Sequence, residues 1–128
     1  MISIDEFQEM CDDIAEKMPE EFFDGLNGGI LLMPEEKPHP GSVPGRPLYI
    51  MGEYRRDYAM GRYIVLYYGS FSRVHRHAGR NKIYEYIRKT IAHEFRHHME
   101  SRSGTRDLEV EDEIELGRYL SDMYEDDE

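Results

Sequence analysis

Cysteine is almost absent from this chain: Cys11 stands alone, which excludes an internal disulfide and fits a reduced compartment. No apolar run approaches the roughly 20 residues of a membrane-spanning helix. No basic stretch followed by an apolar one opens the sequence as in a secretory leader. Basic charge is scarce too, with 16 Lys and Arg against 27 Asp and Glu, a net −11 with neutral histidines. Nucleic acid and anionic membranes are therefore not expected as partners through charge attraction. The expectation is a soluble, cytoplasmic protein of one domain, residues 1–128, large enough to bury roughly two-thirds of its unfolded surface. The acid is uneven, since Asp107 to Glu128 holds eleven acidic residues, and 121–128 reads as an acidic tail that frays.

Local patterns then divide the chain. Ser3-Ile4-Asp5-Glu6 is a capping box, with Ile2 and Phe7 at the staple positions. Phe7, Met10, Cys11, Ile14 and Met18 recur at three and four, the inner face of a helix ending near Lys17 before Pro19. A second helical turn carries Phe22, Phe23 and Leu26. Ile30 to Met33 reads as a buried strand, Pro34 to Pro47 as a proline-rich loop without internal pairing, and Leu48 to Met51 and Tyr63 to Tyr68 as further strands joined by a polar Gly52 to Gly61. Ser70 to Gly79 reads as a basic connection. From near Asn81 to Arg102, apolar Ile83, Ile87, Ile91, Phe95 and Met99 repeat at spacing four, a long helix that Gly104 stops. Asp107 can cap a last helix to about Leu120.

Within the long helix, His93, Glu94 and His97 spell H-E-x-x-H. Helical spacing puts both histidines on one face, away from the centre of the apolar stripe, so that face is expected to look into a cleft or into water. Two neutral imidazoles suit zinc, and a catalytic zinc site takes three protein ligands and leaves a fourth position for water. Glu94, next to the first ligand, can accept a proton from that water, so the pattern points to peptide-bond hydrolysis with Glu94 as general base. Carboxylates for the third position lie downstream. Spacing the apolar residues of the last helix at 100° places Glu109, Asp112 and Glu113 inward, and an antiparallel return through Gly104 brings Asp112 level with His97. Glu100, one turn beyond His97, is positioned to orient an imidazole.

The order of these elements, with Met-Pro-Glu-Glu-Phe-Phe at Met18 to Phe23, Gly52-Glu53-Tyr54, the Ile64 to Tyr67 strand and Thr90-x-x-His-Glu-x-x-His-His, resembles the minimal zincin-like metallopeptidases of bacteria. That resemblance implies an α+β fold in which a sheet of about three strands packs on the H-E-x-x-H helix. It also implies zinc as cofactor and a peptide or protein substrate. The family continues His-x-x-Gly-x-x-Asp, which implies Asp107 as third ligand, but Glu100 stands where that glycine is expected and the Gly-x-x-Asp of Gly104 to Asp107 comes four residues late, a shift of roughly 6 Å along a helix. Glu109 to Glu113 is similar to the Glu-x-Glu-Ala-Asp segment of other H-E-x-x-H proteases, which implies Glu109 as ligand and Glu113 as its neighbour. The order of expectation is Glu109, then Asp112, then Asp107. The alternative to a peptidase is a non-catalytic metal-binding or regulatory protein on the same scaffold.

Overall fold

A computed structural model of the chain describes residues 1–104. The expected last helix and the acidic tail lie outside the described residues. Within them the order is α1 (Ile4–Lys17), a 3₁₀ turn (Glu20–Phe23), β1 (Gly29–Met33), β2 (Gly52–Asp57), β3 (Gly61–Tyr67), α2 (Tyr68–Val74) and α3 (Arg80–Arg102). The fold is α+β. No helix of the described residues is long and apolar enough to cross a membrane.

Helix α1 begins where its capping residues predict. Ser3 Oγ accepts from the Glu6 amide at 3.1 Å, an arrangement worth about 1 kcal/mol. The reciprocal half of the box differs: the Glu6 carboxylate takes the Ser3 hydroxyl and pairs with Arg80 at the start of α3. Phe7, Cys11 and Ile14 are buried on the inner face, and burial pushes the Cys11 thiol up to about 12, which leaves it a protonated core group rather than a nucleophile.

Strand β3 is central, parallel to β1 and antiparallel to β2, in the order β1-β3-β2. Alternation along the strands sorts two faces. Ile30, Leu32, Ile64, Leu66 and Tyr54 join the main core with α1 and α3, while Leu31, Tyr63, Val65 and Tyr67 form a smaller cluster with Ile50 on the other side. The third strand is not Leu48 to Met51. It begins at Gly52, inside the stretch expected to be a connection, because edge pairing with β3 holds a strand whose side chains are mostly polar and half exposed. Its turn to β3 is three residues long, with Asp57 capping the Met60 amide and Gly61 at φ +71°, the left-handed position such a hairpin requires.

Two further expectations fail locally. Pro34 to Pro47 is paired: within it the Arg46 amide donates to the Val43 carbonyl at 3.0 Å, and with the residues just beyond it the His39 amide donates to the Leu48 carbonyl at 2.9 Å and the Ile50 amide to that of Lys37 at 2.8 Å. Prolines remove donors only at their own positions, so the residues between them remain free to pair. The basic connection after β3 also contains α2, whose Tyr68, Phe71 and Val74 carry a three-residue apolar spacing. Phe71 and Tyr68 meet Phe7 edge-on at 5.0 and 5.5 Å. At the start of α2, a Cβ on Gly69 would stand 2.5 Å from the Glu35 and Glu36 backbone, and the Lys37 amide donates to Ser70 Oγ at 2.9 Å. The proline-rich segment is thereby held against α2.

Candidate metal centre

The side chains that matter are carried by α3, which rests chiefly on the edge strand β2. Ile83, Ile87, Ile91 and Phe95 are buried as their spacing predicts, but Met99 is 40% exposed. A second buried row runs beside the first: Thr90, Glu94, His97, His98 and Ser101. The expectation that the histidine face looks outward is therefore corrected for Glu94 and His97, which are 2% and 1% exposed, whereas His93 is half-buried. Strand β2 approaches this second row closely at Thr90. A Cβ on Gly52 would meet Thr90 Cγ2 at 2.8 Å and Leu66 Cδ2 at 3.0 Å, so glycine lets strand and helix touch there. Gly52→Ala is expected to cost about 1–3 kcal/mol through overpacking. Chemical denaturation would show it, and a change within experimental error would mean that the close contact is not kept in solution.

His93 and His97 turn their Nε2 atoms toward each other at 3.1 Å, with the rings nearly perpendicular (87°) and their centroids 4.6 Å apart. Two nitrogens each about 2.0–2.1 Å from a tetrahedral zinc lie roughly 3.3 Å apart. The pair thus has nearly the separation that shared coordination requires. Behind His97, its other ring nitrogen, Nδ1, lies 3.7 Å from Glu100 Oε2, longer than a hydrogen bond, and Arg96 holds the second Glu100 oxygen at 3.1 Å. Glu100 is thus the carboxylate next to the His97 ring, beyond hydrogen-bond reach of it. Glu94 lies one turn from both Thr90 and His98 along the row that faces β2.

His98 is a packed structural histidine. Its Nε2 lies 2.7 Å from the Asp24 carbonyl and its Nδ1 2.8 Å from Tyr54 Oη. A carbonyl can only accept, so Nε2 carries the proton and Nδ1 accepts from the tyrosine, an assignment made from the bonding pattern. Burial is the main cause that lowers the His98 pKa, in keeping with a neutral ring. The pair ties α3 to β2 on one side and to the turn after the 3₁₀ helix on the other. The Tyr54 and Tyr67 hydroxyls are both engaged, Tyr54 with His98 and Tyr67 as donor to Glu53 at 2.7 Å on the opposite face of the sheet. His75 and His77 do not converge, since His75 is buried and stacked on Tyr86 at 3.9 Å while His77 is exposed.

Among the described residues no three His, Cys, Asp or Glu side chains gather to hold a metal. The nitrogen pair is in place, and the residues expected to complete it, Glu109, Asp112 and Asp107, lie outside the described residues. No signal in the sequence singled out the Tyr54–His98–Asp24 connection, because Asp24 takes part through its backbone carbonyl.

No family model and no curated protein matches the chain. A solved structure does: a conserved hypothetical protein from Thermus thermophilus is 35% identical, with 81% of this chain and all of that chain covered and a TM-score of 0.64. The chain belongs to the family of that protein. Membership extends the α+β architecture to a second sequence, while the description of that relative brings no activity with it.

Proposed function

We propose that the protein is a zinc-dependent metallopeptidase of the minimal zincin-like kind. The observation that carries the reading is the facing Nε2 pair of His93 and His97 at 3.1 Å with Glu94 between them in sequence. These residues fit zinc by ligand type and by separation. His93 and His97 would hold the ion with a carboxylate from Glu109, Asp112 or Asp107, in that order of preference. Bound there, zinc would supply Lewis-acid chemistry, activating water and polarising a peptide carbonyl. Glu94 takes the proton from the attacking water and passes it to the leaving amine. Burial of Glu94 strengthens the interactions of that carboxylate.

The substrate would be an extended peptide. Strand β2 is an edge strand of the described sheet, and α3 lies directly against it. An added strand can pair with that edge through main-chain hydrogen bonds, which brings a peptide bond to the helix that carries His93 and His97.

Purified protein is expected to contain about one zinc per chain by elemental analysis, and His97→Ala to lose most of it. Metal content equal to that of a chelator-treated control would remove the metal reading altogether. Retained zinc in Glu109→Ala, Asp112→Ala and Asp107→Ala alike would move the third ligand elsewhere. A second reading, metal binding without catalysis, draws on Glu100 standing where the family pattern has glycine. It predicts stoichiometric zinc with no cleavage of any peptide.

A further inference from the structure

We propose that Arg56, Arg62 and Arg102 form a seat for the acidic segment Asp107 to Glu113 of this same chain. Arg56 and Arg62 are direct partners across the β2–β3 hairpin. Like charges placed opposite each other on a strand pair are destabilising unless something neutralises them. Both lie on the sheet face of Tyr54, two residues before Arg56 on β2. The Tyr54 hydroxyl meets His98, and His98 and Arg102 donate to one carbonyl, that of Asp24, at 2.7 and 3.0 Å. Three guanidinium groups therefore collect around the C-terminal end of α3. Arg55, Arg80, Arg88 and Arg96 each have a carboxylate partner, but among the described residues Arg56, Arg62 and Arg102 make no ion pair, and unlike Arg46, Arg73 and Arg76, which also make none, they gather at one place.

The chain itself supplies the missing charge at the right place. Helix α3 ends at Arg102, and Gly104 turns the backbone at φ +82°. Three residues later comes Asp107, followed by Glu109, Glu111, Asp112 and Glu113. Residues three to nine beyond the turn reach at most about 10–30 Å, enough to cover the three arginines. Eleven of the 27 acidic residues but only one of the 16 basic ones follow Arg106, so the remainder of the chain is close to neutral. A separate acidic peptide would be repelled by a net −11 molecule, whereas the tethered segment meets the arginines at high effective concentration. Seated there, it also returns toward His97, five residues or about 8 Å along α3 from Arg102, where a third ligand is wanted. The seat itself does not depend on metal.

Amide hydrogen exchange of the full-length, metal-free protein tests this separately from the zinc reading. In low salt, residues 107–113 are expected to exchange about tenfold more slowly than in 1 M NaCl, since screening weakens exposed ion pairs. Arg56→Gln with Arg62→Gln, or Arg102→Gln alone, should abolish that difference while α1 keeps its protection. Equal exchange of 107–113 in all forms at both salt concentrations would overturn the proposal, and the salt series on the unaltered chain stands even where a variant fails to fold. Loss of binding to an added polyglutamate peptide in the variants, with exchange of 107–113 unchanged, would overturn it equally by assigning the arginines to a separate partner.

Discussion

Glu94→Gln protein is expected to keep its zinc and to cleave a peptide pool about 10²–10⁴ times more slowly than the unaltered chain, the usual contribution of a positioned general base. Glutamine preserves the shape of the side chain and some of its hydrogen bonding but cannot take a proton from water. The substitution also places a neutral amide in a site that is 2% exposed. It introduces no charge into the buried site and keeps its volume, so the fold is not expected to suffer as it would if a charge were introduced. Metal content and activity should therefore separate: zinc near one equivalent, cleavage nearly lost. Equal cleavage by both forms would remove Glu94 as the base. Loss of zinc together with activity would show instead that Glu94 supports the ligand geometry.

Much of what positions Glu94 is legible in the sequence, and what is not has a common cause. The cap at Ser3, the apolar rows of α1 and α3, the glycine ending α3 and the H-E-x-x-H spacing are local signals, each fixed by neighbours within about one helical turn. They correspond to observed elements. The site of β2 is not local. Gly52–Asp57 is a strand because β3 pairs with it, and that pairing outweighs a composition of Glu, Arg and Asp that reads as a connection. Helical periodicity alone likewise sees α3 with one covered face, while the structure buries a second row that includes Glu94 and His97. His98 shows the limit most clearly. Its partners are a tyrosine 44 residues away and a backbone carbonyl 74 residues away, and a carbonyl leaves no mark in the sequence.

The core beneath the site yields the largest stability effect. Phe95 is 1% exposed and immediately follows Glu94. Its ring meets Phe23 edge-on at 4.9 Å and Phe22 at 5.6 Å, so it is the contact through which α3 holds the 3₁₀ turn. Phe95→Ala is expected to cost about 3–5 kcal/mol, the loss of a buried aromatic together with the cavity left behind. Against a total of roughly 5–15 kcal/mol for a typical domain, this is a large fraction, and the melting temperature should fall by about 10–25 °C. Phe95→Leu, which refills part of the space, should recover more than half of that loss. The consequence for function follows from chain order: Asp24, whose carbonyl receives His98 and Arg102, comes directly after Phe23. Loosening the aromatic stack releases that carbonyl, and with it the register of α3 on β2. Zinc retention in Phe95→Ala should therefore weaken even below its melting transition, where the chain is still folded. A variant whose unfolding free energy lies within about 1 kcal/mol of that of the unaltered protein and that retains zinc equally would show that the stack neither supports the core nor transmits to the histidine pair.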